Sequence, residues 1–384
     1  MNAGSPITDS ARELRINWYR CPIDSDRLRA LSKRSDARGW RQAGGHALLY
    51  LLIAGLSTVL WVFQLWVGFL VSLWCLGFVA SFFNGTAPHE LGHGTVFRTR
   101  RLNRFFLHAF SLLSWWDPYD YASSHTYHHR YTTHPAADRE NVLPIEPSLH
   151  PWLLLQLFTL NIFSSPGRNF GKGGLLWTIY LTTRSALGMT EGHQDIPSQE
   201  WLHALHQDQP ASHRASITWS RVLLGFHGGV LLVAIVTGAW VLPIVITLAP
   251  FIARCGAYFV GTTQHCGLRE NVNDFRRNTR SITLNPLLEF LYWHMNWHTE
   301  HHMYANVPCY NLKALAGEVK RDMPAPKSLL GAWMEMRDIW RRQQADPGYS
   351  FERQLPAPAA AAKVDEALAT SIGDLAPADL RERP

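Results

Sequence analysis

Four apolar runs, at about 46–63, 65–84, 218–237 and 239–260, limit what this chain can fold into more than any other feature. Each approaches the roughly 20 residues that a helix needs to cross the hydrocarbon core of a bilayer. Helices buried in a water-soluble protein are usually shorter and more often interrupted by charge. The runs form two pairs, and the turns, Trp66-Val67 and Gly238-Ala239-Trp240, leave room only for hairpins that cross and return. Arg27, Arg29, Lys33, Arg34, Arg38 and Arg41 precede the first hairpin, and Arg98, Arg100, Arg101 and Arg104 follow it. The far turns carry no lysine or arginine, so the long flanks and both termini are expected on the cytoplasmic side.

The expected fold is therefore all-α: a polytopic helical membrane protein with two transmembrane hairpins and a cytoplasmic histidine-rich catalytic cap. Residues 1–44 read as a polar cytoplasmic lead-in, 45–315 as the membrane-bound catalytic domain, and 316–354 as a cytoplasmic C-terminal region. A change of composition near Gln354, into Pro356-Ala357-Pro358 and an alanine-rich run, marks 355–384 as a flexible tail. Two short aromatic or leucine-rich pieces, 105–116 and 151–164, read as interfacial or re-entrant, and 284–303 as a helix. The first run begins too late and is too long for a cleaved leader. An integral protein of a bacterial-type inner membrane is the expectation.

The net charge of +6 sits mostly beside these runs, which fits topology and anionic lipid better than nucleic acid. Cys21, Cys75, Cys255, Cys266 and Cys309 are odd in number and scattered, with no paired spacing for zinc or an iron–sulfur cluster. Cys266 adjoins His265 and is read as buried and inert.

Chemistry is concentrated in three histidine clusters: His89-Glu90-Leu91-Gly92-His93, His125-Thr126-Tyr127-His128-His129 and His298-Thr299-Glu300-His301-His302. Positions i, i+3 and i+4 share one face of a helix, so the imidazoles of each cluster can point together. Imidazole suits iron, zinc or copper, and eight such groups exceed the needs of one ion. Two ions in a shared shell account for the number. His265, just past the second hairpin, lies on the side needed to complete that shell. Glu90, Asp120, Asp138 and Glu300 could orient imidazoles by hydrogen bonds. His294 is placed behind the ligands, and His134 is a weaker candidate; His46 and the remaining histidines need no metal role.

His89-Glu90-Leu91-Gly92-His93 also fits the His-Glu-x-x-His pattern of zinc proteases, whose glutamate is a general base. Such a site needs about three protein ligands and an open water position, which leaves His125, His128, His129, His298, His301 and His302 without a role.

As a set, HELGH at 89–93, HTYHH at 125–129 and HTEHH at 298–302, with the two hairpins between and before them, resemble the membrane fatty-acid desaturase and hydroxylase superfamily over roughly residues 45–315. The resemblance implies a non-haem diiron centre held by His89, His93, His125, His128, His129, His265, His298, His301 and His302. It also implies dioxygen as cosubstrate and electrons from a separate ferredoxin, rubredoxin or cytochrome b5-like protein. His265 resembles the extra histidine between the second and third boxes. Four residues earlier, where some acyl desaturases place an asparagine, this chain has Gly261, and that role is not carried over.

The implied reaction is oxidation of an unactivated C–H bond in a membrane lipid or fatty-acyl chain. Desaturation is the leading expectation. Hydroxylation or ketolation of an acyl chain, alkane or carotenoid, desaturation of a small specialised metabolite, and a non-enzymatic role in metal binding or transport are the alternatives. Trp115, Trp116, Trp293, Trp297 and Tyr304 are candidates for the wall of a substrate channel, although tryptophan is also common at membrane interfaces.

Overall fold

The computed structural model describes residues 13–163, 174–190 and 199–356. Most of the expected tail, from 357 onward, lies outside the described residues. Apart from a two-residue parallel pairing of Ile282–Thr283 with Lys327–Ser328, the regular structure of the described residues is helical.

Among the described residues, three helices are long and apolar enough to cross a membrane: Asp36–Val62, Trp66–Gly92 and Pro210–Thr237. At ~1.5 Å per residue, each exceeds the ~30 Å hydrocarbon thickness. The first two form the expected hairpin, with the reversal at Phe63–Leu65, where Gln64 has a φ of 57°. That is slightly earlier than Trp66-Val67, because Trp66 already begins the return helix. Ser57 and Ser72, isolated polar groups in this apolar pair, satisfy each other at 2.9 Å.

The second reversal falls at Gly238, whose φ of 75° ends Pro210–Thr237. The return leg differs from the expected helix over 239–260. It is a π-helical segment, Pro243–Leu248, then a 3-10 turn, Ala249–Phe251, then an extended Ile252 and a separate helix, Cys255–Gly261. Pro243 and Pro250 lack the N–H groups of a regular ladder, and Ala253 has a φ of 49°. Gly77 on the first return helix admits this break: a Cβ there would lie 2.6 Å from the Ile252 carbonyl oxygen.

The expected helix over 284–303 is likewise divided. Asn285 caps Pro286–Leu291 by accepting from Leu288 N–H, and His298–Met303 is a separate helix. Trp293 and His294, with φ of 50° and 58°, turn the chain between them. The turn sends Trp293 into the core, where its indole N–H donates to His46 Nδ1 at 3.0 Å. His46 is thus a core histidine whose Nε2 faces the Val79 carbonyl oxygen at 3.2 Å.

Around these elements, Arg100–Ser114 buries Asn103, Phe106, Leu107 and Phe110 and exposes Arg100, Arg101 and Phe105. This spacing gives one apolar face. Pro118–Tyr131 starts sharply because Asp117 accepts from Tyr119 and Asp120 N–H and Pro118 occupies the first turn. In the short helix Phe275–Asn278, Arg276 is buried between Asp274 and Asp322, at 2.8 and 3.0 Å. This pair of contacts fastens the turn that carries Asn278.

Candidate metal centre

Three short helical segments bring the clusters together. Thr86–Gly92 carries His89, with His93 at its end; Pro118–Tyr131 carries the second cluster, and His298–Met303 the third. All nine candidate imidazoles are buried. They divide into two groups in which the facing ligand atoms lie within 4.8 Å of one another: His89, His93, His125, His129 and His301, and then His128, His265, His298 and His302. The groups adjoin, since the rings of His129 and His302 stack with centroids 4.5 Å apart.

The division cuts through two of the clusters. His125 and His129 enter one group while His128 enters the other; His298 and His302 join His128 while His301 crosses over. At ~100° per residue, i and i+4 lie about 40° apart, whereas i+3 and i+4 lie about 100° apart. The i,i+4 pair therefore faces one site and the i+3 imidazole its neighbour.

Hydrogen bonds behind the rings fix where their protons sit. Nδ1 of His89 lies 2.9 Å from Glu90 Oε1, that of His125 3.1 Å from Glu140 Oε1, and that of His128 2.9 Å from Asp138 Oδ2. His265 Nδ1 donates to the Asn278 carbonyl oxygen at 2.9 Å. His302 Nδ1 lies 3.1 Å from the Thr132 hydroxyl, whose own hydrogen goes to the His128 carbonyl oxygen. Acceptors behind Nδ1 leave the Nε2 lone pairs directed inward.

Those lone pairs test whether metal ions suit the site. His298 Nε2 is 2.9 Å from His265 Nε2 and 3.1 Å from His302 Nε2, and His129 and His301 face each other at 3.2 Å. Nε2 of His89 and His125, and both ring nitrogens of His93, are buried without any hydrogen-bond partner. Nitrogens about 2.1 Å from one cation stand about 3 Å apart when adjacent around it. The observed spacings fit that requirement.

Burial pushes the His93 and His265 pKa values down to about 3, and holds those of His125, His129, His298, His301 and His302 well below the ordinary value. Neutral imidazole is the form that binds metal. For His128, burial also opposes charge, but the carboxylates of Asp138 and Glu140 outweigh it and raise its pKa.

Two of the four expected orienting carboxylates, Glu90 and Asp138, stand behind candidate imidazoles. Asp120 instead accepts from His206, at 2.9 Å, and Ser216. Glu300 accepts from Ser281, and burial raises its pKa to about 7. His294 bonds to none of the nine; its Nδ1 lies 3.8 Å from Glu289. His134 turns to the Thr132 carbonyl oxygen and stands outside both groups. The sequence reading missed Glu140, Thr132 and the Asn278 carbonyl. Glu140 lies 15 residues beyond His125, outside any helical spacing, and a backbone carbonyl leaves no residue signature.

A pocket reaches the first group from the surface, with His89, His93, His125 and His129 among its lining and Leu91, Leu107 and Tyr121 as apolar walls. Trp115, Trp116, Trp293, Trp297 and Tyr304 do not line it. Trp115 stacks on His227, and the Tyr304 hydroxyl donates to the Cys21 carbonyl oxygen. Cys266 is buried and free, with its thiol on the Ile145 carbonyl oxygen. The zinc-protease reading fails on two counts: His89 and His93 join a five-imidazole group, and Glu90 is bonded behind His89 rather than facing an open position.

A comparison with curated proteins finds no match. The family model described as "Fatty acid desaturase" matches residues 64–331, a stretch that contains all three clusters and His265. With that match and two convergent imidazole groups, the chain belongs to the membrane fatty-acid desaturase superfamily and carries its diiron-binding histidine clusters.

Proposed function

We propose that this protein is an acyl-chain desaturase that removes two hydrogens from an unactivated –CH2–CH2– segment, using dioxygen, two protons and two electrons from another protein and releasing two waters. Superfamily membership carries the general reading of a non-haem diiron oxidoreductase acting on lipid or fatty-acyl substrates. The observation that supports the centre is the division of nine buried imidazoles into groups of five and four, with ring nitrogens of His89, His93 and His125 buried without a partner and the Nε2 atoms of His265, His298 and His302 crowded together. On this reading His89, His93, His125, His129 and His301 hold one iron, and His128, His265, His298 and His302 the other. The irons, when bound, supply the reduction of dioxygen that C–H cleavage requires.

The chain's own residues hold the ligands and the substrate. Glu90, Glu140, Asp138, Thr132 and the Asn278 carbonyl stand behind Nδ1 of His89, His125, His128, His302 and His265, so that Nε2 of these five stays available. Leu91, Leu107 and Tyr121 wall the approach to the first group and keep water from the reacting carbon. The assignment extends to a cytoplasmic cap, cytoplasmic termini and a second hairpin whose return leg is the broken segment after Gly238. Its electron donor is a ferredoxin, rubredoxin or cytochrome b5-like protein.

Purified protein given iron, a reducing system with each donor, labelled dioxygen and defined acyl lipids is expected to yield a product two hydrogens lighter by mass spectrometry. A product that gains one labelled oxygen atom would establish hydroxylation instead. Reproducible absence of any oxidised product across the panel, with two irons bound, would overturn the reading.

A further inference from the structure

The pocket over the first histidine group has two chemically different ends. Its inner end is formed by buried imidazoles, and its outer end carries three arginines, Arg34, Arg100 and Arg104. Arg34 and Arg100 are exposed and Arg104 is half-buried, which orders them along the approach. The described lining residues include no aspartate or glutamate, and Arg34 also donates to Asn306 Oδ1 at 3.5 Å. Asp36 commits its two oxygens to the Thr99 N–H and hydroxyl, at 2.9 and 2.8 Å. Arg100 and Arg104 stand one helical turn apart, on the face that also carries Leu107 into the pocket. A neutral hydrocarbon gains nothing from three guanidinium groups at the entrance to an approach walled by Leu91, Leu107 and Tyr121. An anion gains charge-assisted, often bidentate, hydrogen bonds.

We propose that the substrate carries an anionic head, a carboxylate or phosphate, which Arg34, Arg100 and Arg104 hold at the pocket mouth while its chain enters toward His89, His93, His125 and His129. The inference rests on reading those histidines as part of the oxidising centre, and it narrows the substrate class: an alkane, a carotenoid or an uncharged ester lacks the group that the mouth binds. A free fatty acid and an anionic phospholipid share the required chemistry. Arg98 and Arg101 carry the same charge from the same stretch of chain but do not line the pocket, so they separate a site from a general basic surface.

The test is direct binding of a fluorescent polyene fatty acid and its methyl ester to the purified protein in neutral detergent, with iron measured on the same samples. Wild type is expected to bind the acid at least about tenfold more tightly than the ester. In Arg100→Gln/Arg104→Gln this preference should fall toward one, with iron per chain unchanged, while Arg98→Gln/Arg101→Gln keeps it. Competition by phosphatidylglycerol but not phosphatidylcholine would assign the head to a lipid, and competition by neither to a free acid. Equal binding of acid and ester by wild type would overturn the proposal, as would equal losses in the two double variants. Because binding is read separately from iron content and turnover, failure of the anion site is distinguishable from failure of the diiron reading.

Discussion

Asp138→Asn removes a negative charge from behind His128 with almost no change in volume. Asp138 Oδ2 accepts from His128 Nδ1 at 2.9 Å and from Thr133 N–H at 2.8 Å, while Oδ1 accepts from Glu140 N–H at 3.0 Å. Asparagine has only one carbonyl oxygen. If that oxygen takes the Oδ2 position, an amide NH2 faces the Glu140 N–H; in the reverse orientation it faces His128 and Thr133. Either way a donor loses its acceptor, the half-buried Glu140 N–H or the buried His128 and Thr133 groups, which costs up to about 1–3 kcal/mol of stability, and His128 loses its anionic support. Second-layer changes of this kind weaken metal binding by about 10–100-fold, or about 1.4–2.7 kcal/mol. The loss should fall on the group of His128, His265, His298 and His302. Glu140→Gln, behind His125 at 3.1 Å, should weaken the other group instead. Stepwise chelator titration with iron counted per chain reads both: Asp138→Asn should release one iron at about 10–100-fold lower chelator while the second stays near its wild-type midpoint. Glu140→Gln should release one iron early as well, and Mössbauer spectra of the half-loaded variants should differ. Two irons leaving together in both variants, or neither moving, would refute the division into two groups.

His46→Ala removes the acceptor of the buried Trp293 indole N–H, so thermal unfolding should show a loss of about 2–4 kcal/mol with iron per folded chain unchanged. His129→Ala should do the reverse, losing iron and turnover; equal iron loss in both would contradict the separation of core from centre. Arg276→Gln leaves the Asp274 and Asp322 carboxylates buried without their cation, and denaturant unfolding should register about 3–5 kcal/mol, a value near zero arguing against the buried pair. For Glu289, burial opposes ionisation, but the nearby His294 imidazole and hydrogen bonds from Lys313 and Trp297 outweigh it and lower its pKa to about 2 from 4.5. A depressed carboxyl pKa stabilises the fold above about 4.5 and loses that contribution as pH falls toward 2. The melting-temperature gap between wild type and Glu289→Gln should therefore narrow from pH 7 to pH 3, and a constant gap would rule this out.

The parts of this molecule that were legible in the sequence are those encoded by local repetition. Apolar length marks the hairpin formed by Gly45–Val62 and Trp66–Ala80, short-range histidine spacing marks eight of the nine imidazoles that converge, and His265 is marked by its place just past the second apolar pair. Hidden features depend on relations that periodicity does not carry. Composition made 239–260 look like one helix, yet Pro243, Pro250 and the positive φ of Ala253 divide it. The stretch 284–303 looked continuous until Trp293 and His294 turned to place an indole against His46. The clusters show the same limit at finer scale. A shared helix face was a sound reason to group His125, His128 and His129, but a face about 100° wide can serve two neighbouring sites. Only packing decides that His128 turns toward His265 while His129 turns toward His301. That choice lets two short helices each supply both groups, so displacement of either helix would disturb both sites at once.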